Sequence, residues 1–549
     1  MFVGFPEQHP ASASLQVRKP SFEFVKFSTR NAIFNDPLIV METIVGSKSF
    51  GFVIDQNRCI GCHACTVACK EEHEVPVGVF RTWVKSVEKG AFPDTSRHFA
   101  VLRCNHCDAA PCVEICPTVA LFRRSDGIVD FDNARCIGCK SCMQACPYDA
   151  LYLEPTSNTA AKCNFCAHRI EEELKPACVI VCPTQAIVAG DLADPASNVS
   201  KIVAREKVSV RKPQKGTEPK LFYVGVEGDL LRPAKLAAQS SYAWAERRAD
   251  LKTKAEFDPQ QTREVYDVPH PAPWGSKVSA YLWTKSMAAG ALLVPALLLP
   301  QSRQPGALFT LLCPLIALIA LAVTSGLLIF DLKRPERFYF LLIKPNFRSW
   351  LVLGSYILIG YGGVGTAWLV TGMLTGEVPC ALRWIAGALA IGSACYSAFL
   401  FAQAKGRDLW QSPLFLWHLL VQALSAGGAV VLLAGIASGA ASQVLRNAAL
   451  ILFAALLLSL AMVLAELALP HASEDAALAS RAMLTGRYRV QFWGVAVVIG
   501  FAAPIILGGL FLFWHPLPEL AILAAILALA GLLGYEDVWI KAGQVVPLS

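Results

Sequence analysis

Beyond Cys182 the 549-residue chain has almost no cysteine: sixteen of its nineteen lie between Cys59 and Cys182, and only Cys313, Cys380 and Cys395 follow. Charge is also sparse, at 17%, while hydrophobic residues reach 54%, above the roughly 45–50% of soluble domains. Residues 1–50 lack the apolar core that a secretory signal needs. Arg18 and Lys19 stand where a twin-arginine signal would place its pair, but Ser21, Glu23 and Lys26 interrupt the apolar stretch that would have to follow. Export through this segment is therefore not expected, nor is the disulfide framework of small secreted chains. The net charge of +7 is modest and no nucleic-acid motif accompanies it, so loop charges of a membrane protein explain it better than a nucleic-acid partner.

What the chain does have is four groups of four cysteines. Cys59, Cys62, Cys65 and Cys69 follow C-x2-C-x2-C-x3-C, and Cys136, Cys139, Cys142 and Cys146 repeat it. Between them lie Cys104, Cys107, Cys112 and Cys116; after them come Cys163, Cys166, Cys178 and Cys182. Pro117, Pro147 and Pro183 close three of the groups. A cubane iron–sulfur cluster needs four soft thiolates, and a tight turn delivers three at two-residue gaps. One short loop wraps the fourth corner poorly, so in two-cluster ferredoxins the last cysteine of a run ligates the other cluster and interlocks distant segments. Zinc uses C-x2-C pairs separated by longer stretches, and triplets ending in Cys-Pro argue against it. Cys59 to His63 also spells the covalent haem signature C-x-x-C-H, but that leaves Cys65 and Cys69 unexplained. With sixteen cysteines for sixteen corners, His63, His106 and His168 are expected to hydrogen-bond near cluster sulfurs rather than to ligate.

The segments CIGCHACTVACK, CNHCDAAPCVEICP, CIGCKSCMQACPYDA and KCNFCAHRIEEELKPACVIVCP resemble the electron-transfer subunit of the DMSO reductase and polysulfide reductase enzymes, over about residues 51–228. The resemblance implies four 4Fe-4S clusters with crossed ligation. Cys59, Cys62, Cys65 and Cys182 would hold one, and Cys163, Cys166, Cys178 and Cys69 a second. Cys104, Cys107, Cys112 and Cys146 would hold the third, and Cys136, Cys139, Cys142 and Cys116 the fourth. It also implies a separate molybdopterin-containing catalytic subunit docked on this domain. Short strands beside the cysteine turns, such as Gly127 to Phe131 and Lys220 to Val226, fit an α+β, bis-ferredoxin-like design.

After a stretch read as a linker, 229–276, with a surface helix in KLAAQSSYAWAERRADLKTKAEF, apolar segments recur at roughly 278–300, 306–330, 349–373, 381–404, 412–437, 447–469, 490–514 and 520–540. Each approaches the ~20 residues that cross a bilayer, predicting an all-α bundle of about eight transmembrane helices over 277–549. An even number puts the cysteine domain, alternate loops and the C-terminal tail on one side. That side carries Lys333, Arg334, Arg337, Lys344, Arg348, Lys405, Arg407, Arg481, Arg487, Arg489 and Lys541, against Arg303, Arg383 and Arg446 opposite. The positive-inside rule then predicts a multi-pass inner-membrane protein whose cysteine domain faces the cytoplasm.

Charge inside hydrocarbon is expensive, so Lys285, Asp331, His418 and Glu466 are functional candidates, and all four are expected toward the cysteine-domain side as one polar pocket. The segments AYLWTKSMAAGALL, DLKRPERFYF and KPNFRSWLVLGSY resemble the NrfD-like anchor of polysulfide reductases, which binds quinone and no haem; only His418 sits inside a span, too few for an axial pair. Together these readings predict a membrane wire between a molybdopterin-containing partner and menaquinone or ubiquinone. A proton-translocating role and a purely structural anchor are the competing expectations. Anaerobic chemical analysis of the purified chain should return about sixteen irons; about eight would mean that half of the cysteine groups bind no cubane.

Overall fold

The computed structural model describes residues 48–91, 93–236, 262–299 and 306–549. The N-terminal extension and the alanine-rich stretch read as a surface helix fall almost wholly outside the described residues. Eleven strands are described: β1 (Phe50–Asp55), β2 (Thr82–Ala91), β3 (Asp94–Arg103), β4 (Leu121–Arg123), β5 (Val129–Phe131), β6 (Leu151–Leu153), β7 (Ala160–Lys162), β8 (Ile187–Asp191), β9 (Val208–Ser209), β10 (Leu221–Val224) and β11 (Arg263–Tyr266). The consecutive apolar residues Phe52, Val53 and Ile54 suit a strand covered on both faces, and all three are buried. Accordingly β1 lies inside a sheet of order β8-β1-β10-β9, parallel to β10 and antiparallel to β8. The β4–β5 and β6–β7 hairpins each follow a Cys-Pro pair, so two cysteine turns end in the same small unit.

The turns themselves repeat. Gly61 and Gly138 adopt φ of +68° and +69°, and His63 and Lys140, two residues on, adopt +60° and +64° before short helices begin. Glycine is required at 138 for a second reason: a Cβ there would stand 2.9 Å from Asn158 O and 2.7 Å from Lys333 Cβ. The loop that brings Lys333 so close belongs to the membrane half.

Among the described residues, eight helices are long and apolar enough to cross a membrane: Ser276–Leu298, Leu308–Asp331, Trp350–Thr375, Cys380–Gln403, Phe415–Ala437, Ser442–Ala468, Gln491–Phe513 and Pro518–Ala542. At 1.5 Å per residue, 23 to 27 residues reach roughly 34–40 Å, enough for a ~30 Å hydrocarbon core. The first and fifth spans are the most enclosed by protein. Small residues permit their approach, since a Cβ on Gly427 would lie 2.6 Å from Gly290 Cα. Pro516 and Pro518 bracket the tight turn between the last two spans, which is why so short a connection suffices.

The stretch 229–276 is not a loose tether where it is described. β11 adds to β2, which pairs in turn with β3. Sequence pattern missed this strand because R-E-V-Y carries too little apolar character; its place is set by tertiary demand. Lys85 on β2 is buried, and a buried cation without partners is costly. Glu264 and Asp267 supply anions at 2.7 and 2.9 Å. His270 extends the network to Asp149 at 2.8 Å. Burial alone would lower the His270 pKa, but hydrogen bonds and charge from Asp149 and Asp267 outweigh it and raise it from 6.5 to about 9. The stabilisation is therefore fully present below pH 6.5 and lost as pH rises through about 9. The thermal midpoint should fall over that interval in the unsubstituted protein, and the fall should be largely absent in His270→Gln.

Candidate functional site

The chain brings its sixteen clustered thiols into four neighbourhoods. Cys65 faces Cys59 and Cys182, and these three line one cavity together with Cys62. Cys69, the fourth cysteine of the first run, faces Cys163, Cys166 and Cys178 instead. Cys112 faces Cys104, Cys107 and Cys146. Cys116, Cys136, Cys139 and Cys142 line a second cavity. No three His, Cys, Asp or Glu side chains among the described residues converge closely enough for a single ion. The thiols instead surround spaces, as ligands of a cluster with its own volume must. Burial pushes the thiols of Cys65, Cys146 and Cys163 up to about 11 and that of Cys139 up to about 12. An ionised sulfur at these places needs a positive partner, and iron bound by four thiolates supplies one.

The neighbourhoods also form a series. Cys65 of the first faces Cys178 of the second, Cys163 of the second faces Cys104 of the third, and Cys112 of the third faces Cys142 of the fourth. The first lies at the surface: Cys62 is exposed, and Ile60, Val67 and Ile180 are each 59–65% exposed. The third and fourth are gripped by membrane-half loops. Asn346 donates to Cys116 O (2.7 Å) and Ser349 to Ile115 O (2.7 Å). Arg337 donates to Asn133 O (2.7 Å) and Cys136 O (3.0 Å), Arg334 to Ser157 O (2.7 Å), and Arg407 to Gln144 Oε1 (2.8 Å).

Where the fourth neighbourhood meets the spans there is a seam cavity of about 100 Å³. Cys139 and Ser141 form one wall; Trp274, Tyr281, Asp331, Ser355, Leu358, Tyr396 and Leu400 are among the others. An apolar lining with a few convergent polar groups suits a small-molecule site. Cys139 borders this cavity and the fourth cysteine cavity alike.

The four ionisable candidates do not form one pocket. Asp331 lines the seam cavity and pairs with Lys140 at 2.9 Å. Lys285 lies one layer behind, donating to Ser397 Oγ (2.9 Å) and Ala394 O (2.7 Å), with its ammonium 4.9 Å from the centre of the Tyr396 ring. His418 and Glu466 pair separately at 3.3 Å, and Ser412 also bonds Glu466, joining the fifth and sixth spans. Sequence reasoning passed over Glu536, buried in the last span, where it meets the charge of Lys285 and the side chain of Gln422. The signal was available, as a carboxylate inside GLLGYEDVWI. The histidines differ from expectation too. His168 bonds Glu72 (2.7 Å), His63 meets Tyr266 edge-on, and His106 Nδ1 accepts from Val129 N (3.2 Å), while His73 places Nε2 3.2 Å from Cys166 Sγ. Nothing in the sequence pattern singles out His73, because it lies outside the cysteine runs.

Clustered thiols held against eight membrane-crossing helices define a membrane-bound iron–sulfur electron-transfer protein. Comparison specifies the family. A model described as polysulphide reductase, NrfD, matches residues 264–547, one described as a 4Fe-4S dicluster domain matches 96–192, and one described as a 4Fe-4S binding domain matches 50–71. The chain belongs to the polysulphide reductase NrfD family, with a ferredoxin-type domain fused ahead of the anchor. That leading domain is 43% identical to the B component of the tetrathionate reductase of Salmonella typhimurium over 201 residues, 36% of this chain and 80% of the relative. It is 42% identical to the B component of the polysulfide reductase of Wolinella succinogenes over 183 residues, 32% of this chain and 95% of the relative. A putative iron–sulfur component of a dimethyl sulfoxide reductase from Halobacterium salinarum is 37% identical over 219 residues, 34% of this chain and 83% of the relative.

Each loop-to-turn hydrogen bond contributes about 0.5–1.5 kcal/mol, and truncating its donor leaves a carbonyl unmet. The double substitution Asn346→Ala/Arg337→Ala should loosen the seam, read as faster proteolysis between residues 115 and 136 in intact detergent-solubilised protein.

Proposed function

We propose that this membrane electron-transfer subunit serves a molybdopterin oxidoreductase complex, linking a molybdopterin-containing catalytic subunit to menaquinone or ubiquinone through four 4Fe-4S clusters, without haem. The carrying observation is that Cys139 borders both the fourth cysteine cavity and the seam cavity, so a quinone there would sit beside the last centre of the series. In this reading 51–228 holds the clusters, 229–276 connects, and 277–549 handles the quinone. The ligand sets are Cys59, Cys62, Cys65 and Cys182; Cys163, Cys166, Cys178 and Cys69; Cys104, Cys107, Cys112 and Cys146; and Cys136, Cys139, Cys142 and Cys116. The thiol neighbourhoods support them. Bound clusters would supply one-electron relays, within the range of roughly −700 to +450 mV open to such centres.

The chain's own residues handle the rest of the chemistry. A quinol gives up two electrons and two protons. Electrons leave singly by way of Cys139 and the protons by way of the Asp331 carboxylate, while hydroxyls of Tyr281, Tyr396 and Ser355 orient the headgroup. Ser397 and Lys285 extend the polar path from the Tyr396 wall toward Glu536. The apolar face around Cys62 suits the catalytic partner, because burying Ile60, Val67 and Ile180 would also exclude water from the outermost centre.

We place the cluster domain on the cytoplasmic side of the inner membrane. Arg334, Arg337 and Arg407 are occupied in docking, but the other eight basic residues of that side still outnumber the three opposite. The buried Glu536 beside Lys285 favours a second reading, proton translocation, which proton uptake by sealed vesicles during quinol oxidation would reveal.

Filling the cavity tests the first reading. Ser355→Trp should slow quinol-driven reduction of the clusters at least tenfold, followed by electron paramagnetic resonance, while dithionite reduces them as fully as before. Undiminished quinol reduction would leave the bundle as a structural anchor.

A further inference from the structure

Arg103 ends β3, and its side chain is entirely buried. Nη1 donates to Cys178 Sγ at 3.0 Å, and the guanidinium lies 4.6 Å over the Phe52 ring. Nε and Nη2 have no partner among the described residues, and no carboxylate among them pairs with the group. Its charge instead faces Cys65 of the first ligand set and Cys69, Cys163 and Cys178 of the second. The buried lysine Lys85, by contrast, has two carboxylates at hand.

A buried arginine does not shed its proton, and a fixed charge without a counter-charge is strongly disfavoured. Among the described residues the only anions in reach are sulfurs. We infer that Arg103 is the built-in counter-charge of the second centre and raises its reduction potential. This rests on the ligand sets proposed above. The reason is electrostatic: the thiolate-bound cluster becomes more negative when it gains an electron, and a cation held in a dry surrounding stabilises that added charge. The step itself moves one electron from one centre to the next and transfers no proton or atom. The effect falls chiefly on the second centre because Nη1 bonds one of its ligands; the first is reached through Cys65 alone, and the fourth neighbourhood is not among the groups Arg103 faces. The unpartnered Nε and Nη2 are donors that cluster sulfides would accept from.

The test is a redox titration of the intact, cluster-loaded chain by electron paramagnetic resonance, comparing Arg103→Gln and Arg103→Lys with the unsubstituted protein; Cys166→Ser identifies the second centre by its loss. At the wild-type midpoint of that centre, Arg103→Gln should lower its reduced-to-oxidised ratio at least tenfold, 59 mV for a one-electron couple. Arg103→Lys should hold the ratio within threefold, and the third and fourth centres should not move. With four centres present, a change under threefold in Arg103→Gln, or equal changes in both variants, overturns the inference. Fewer than four centres in the unsubstituted protein would overturn the ligand sets instead. If Arg103→Gln does not assemble the centre, Arg103→Lys decides alone, and a tenfold change in it counts against a role for charge.

Discussion

Backbone carbonyls exposed by the tight turns after Cys112 and Cys136 must be met by donors, since buried carbonyls are rarely left open. Regular secondary structure cannot meet them there, because the chain is bent around the sulfurs. The donors come from 201 to 234 residues further along: Asn346 and Ser349 ahead of the third span, and Arg337 behind the second. The same contacts fix the height of the cysteine turns above the spans and thereby create the seam cavity. Domain docking, thiol placement and the cavity next to Cys139 are thus consequences of one set of hydrogen bonds.

Charge is distributed along the series in a graded way. The outer end offers exposed apolar side chains. Arg103 stands between the first two neighbourhoods, Lys162 lies buried near Cys112, and Lys140 flanks Cys139 while pairing with Asp331. Each cation is immobilised by a ring, a carbonyl or a carboxylate, so its field acts on the neighbouring sulfurs without the chain having to rearrange.

The cysteine spacings, the short strand beside the cysteine turns at Gly127 to Phe131 and the eight apolar segments were legible because each is a local pattern with one dominant cause: thiolate supply, turn chemistry, or bilayer thickness. The structural ends of the spans differ from the pattern by a few residues. What could not be read was whatever depends on partners remote in sequence. β11 exists because Lys85 needs anions, and His73 matters because Cys166 folds back to it. The ionisable residues of the spans were legible one by one from the cost of charge in hydrocarbon. Their grouping failed because co-location by height in the membrane ignores rotation about each helix axis, which sends Lys285 toward Ser397 and His418 toward Glu466.

In the Wolinella succinogenes relative, the matched region fills 95% of the polypeptide, leaving no room for eight spans. Here the two halves are one chain, and β11 ties their junction to β2 only a dozen residues before the first span. Docking is consequently an intramolecular event with a high effective concentration, for which a seam of individually weak hydrogen bonds is enough. The fusion fixes one cluster domain to one anchor in every copy, so assembly of this part of the complex does not vary with how much of each half a cell makes.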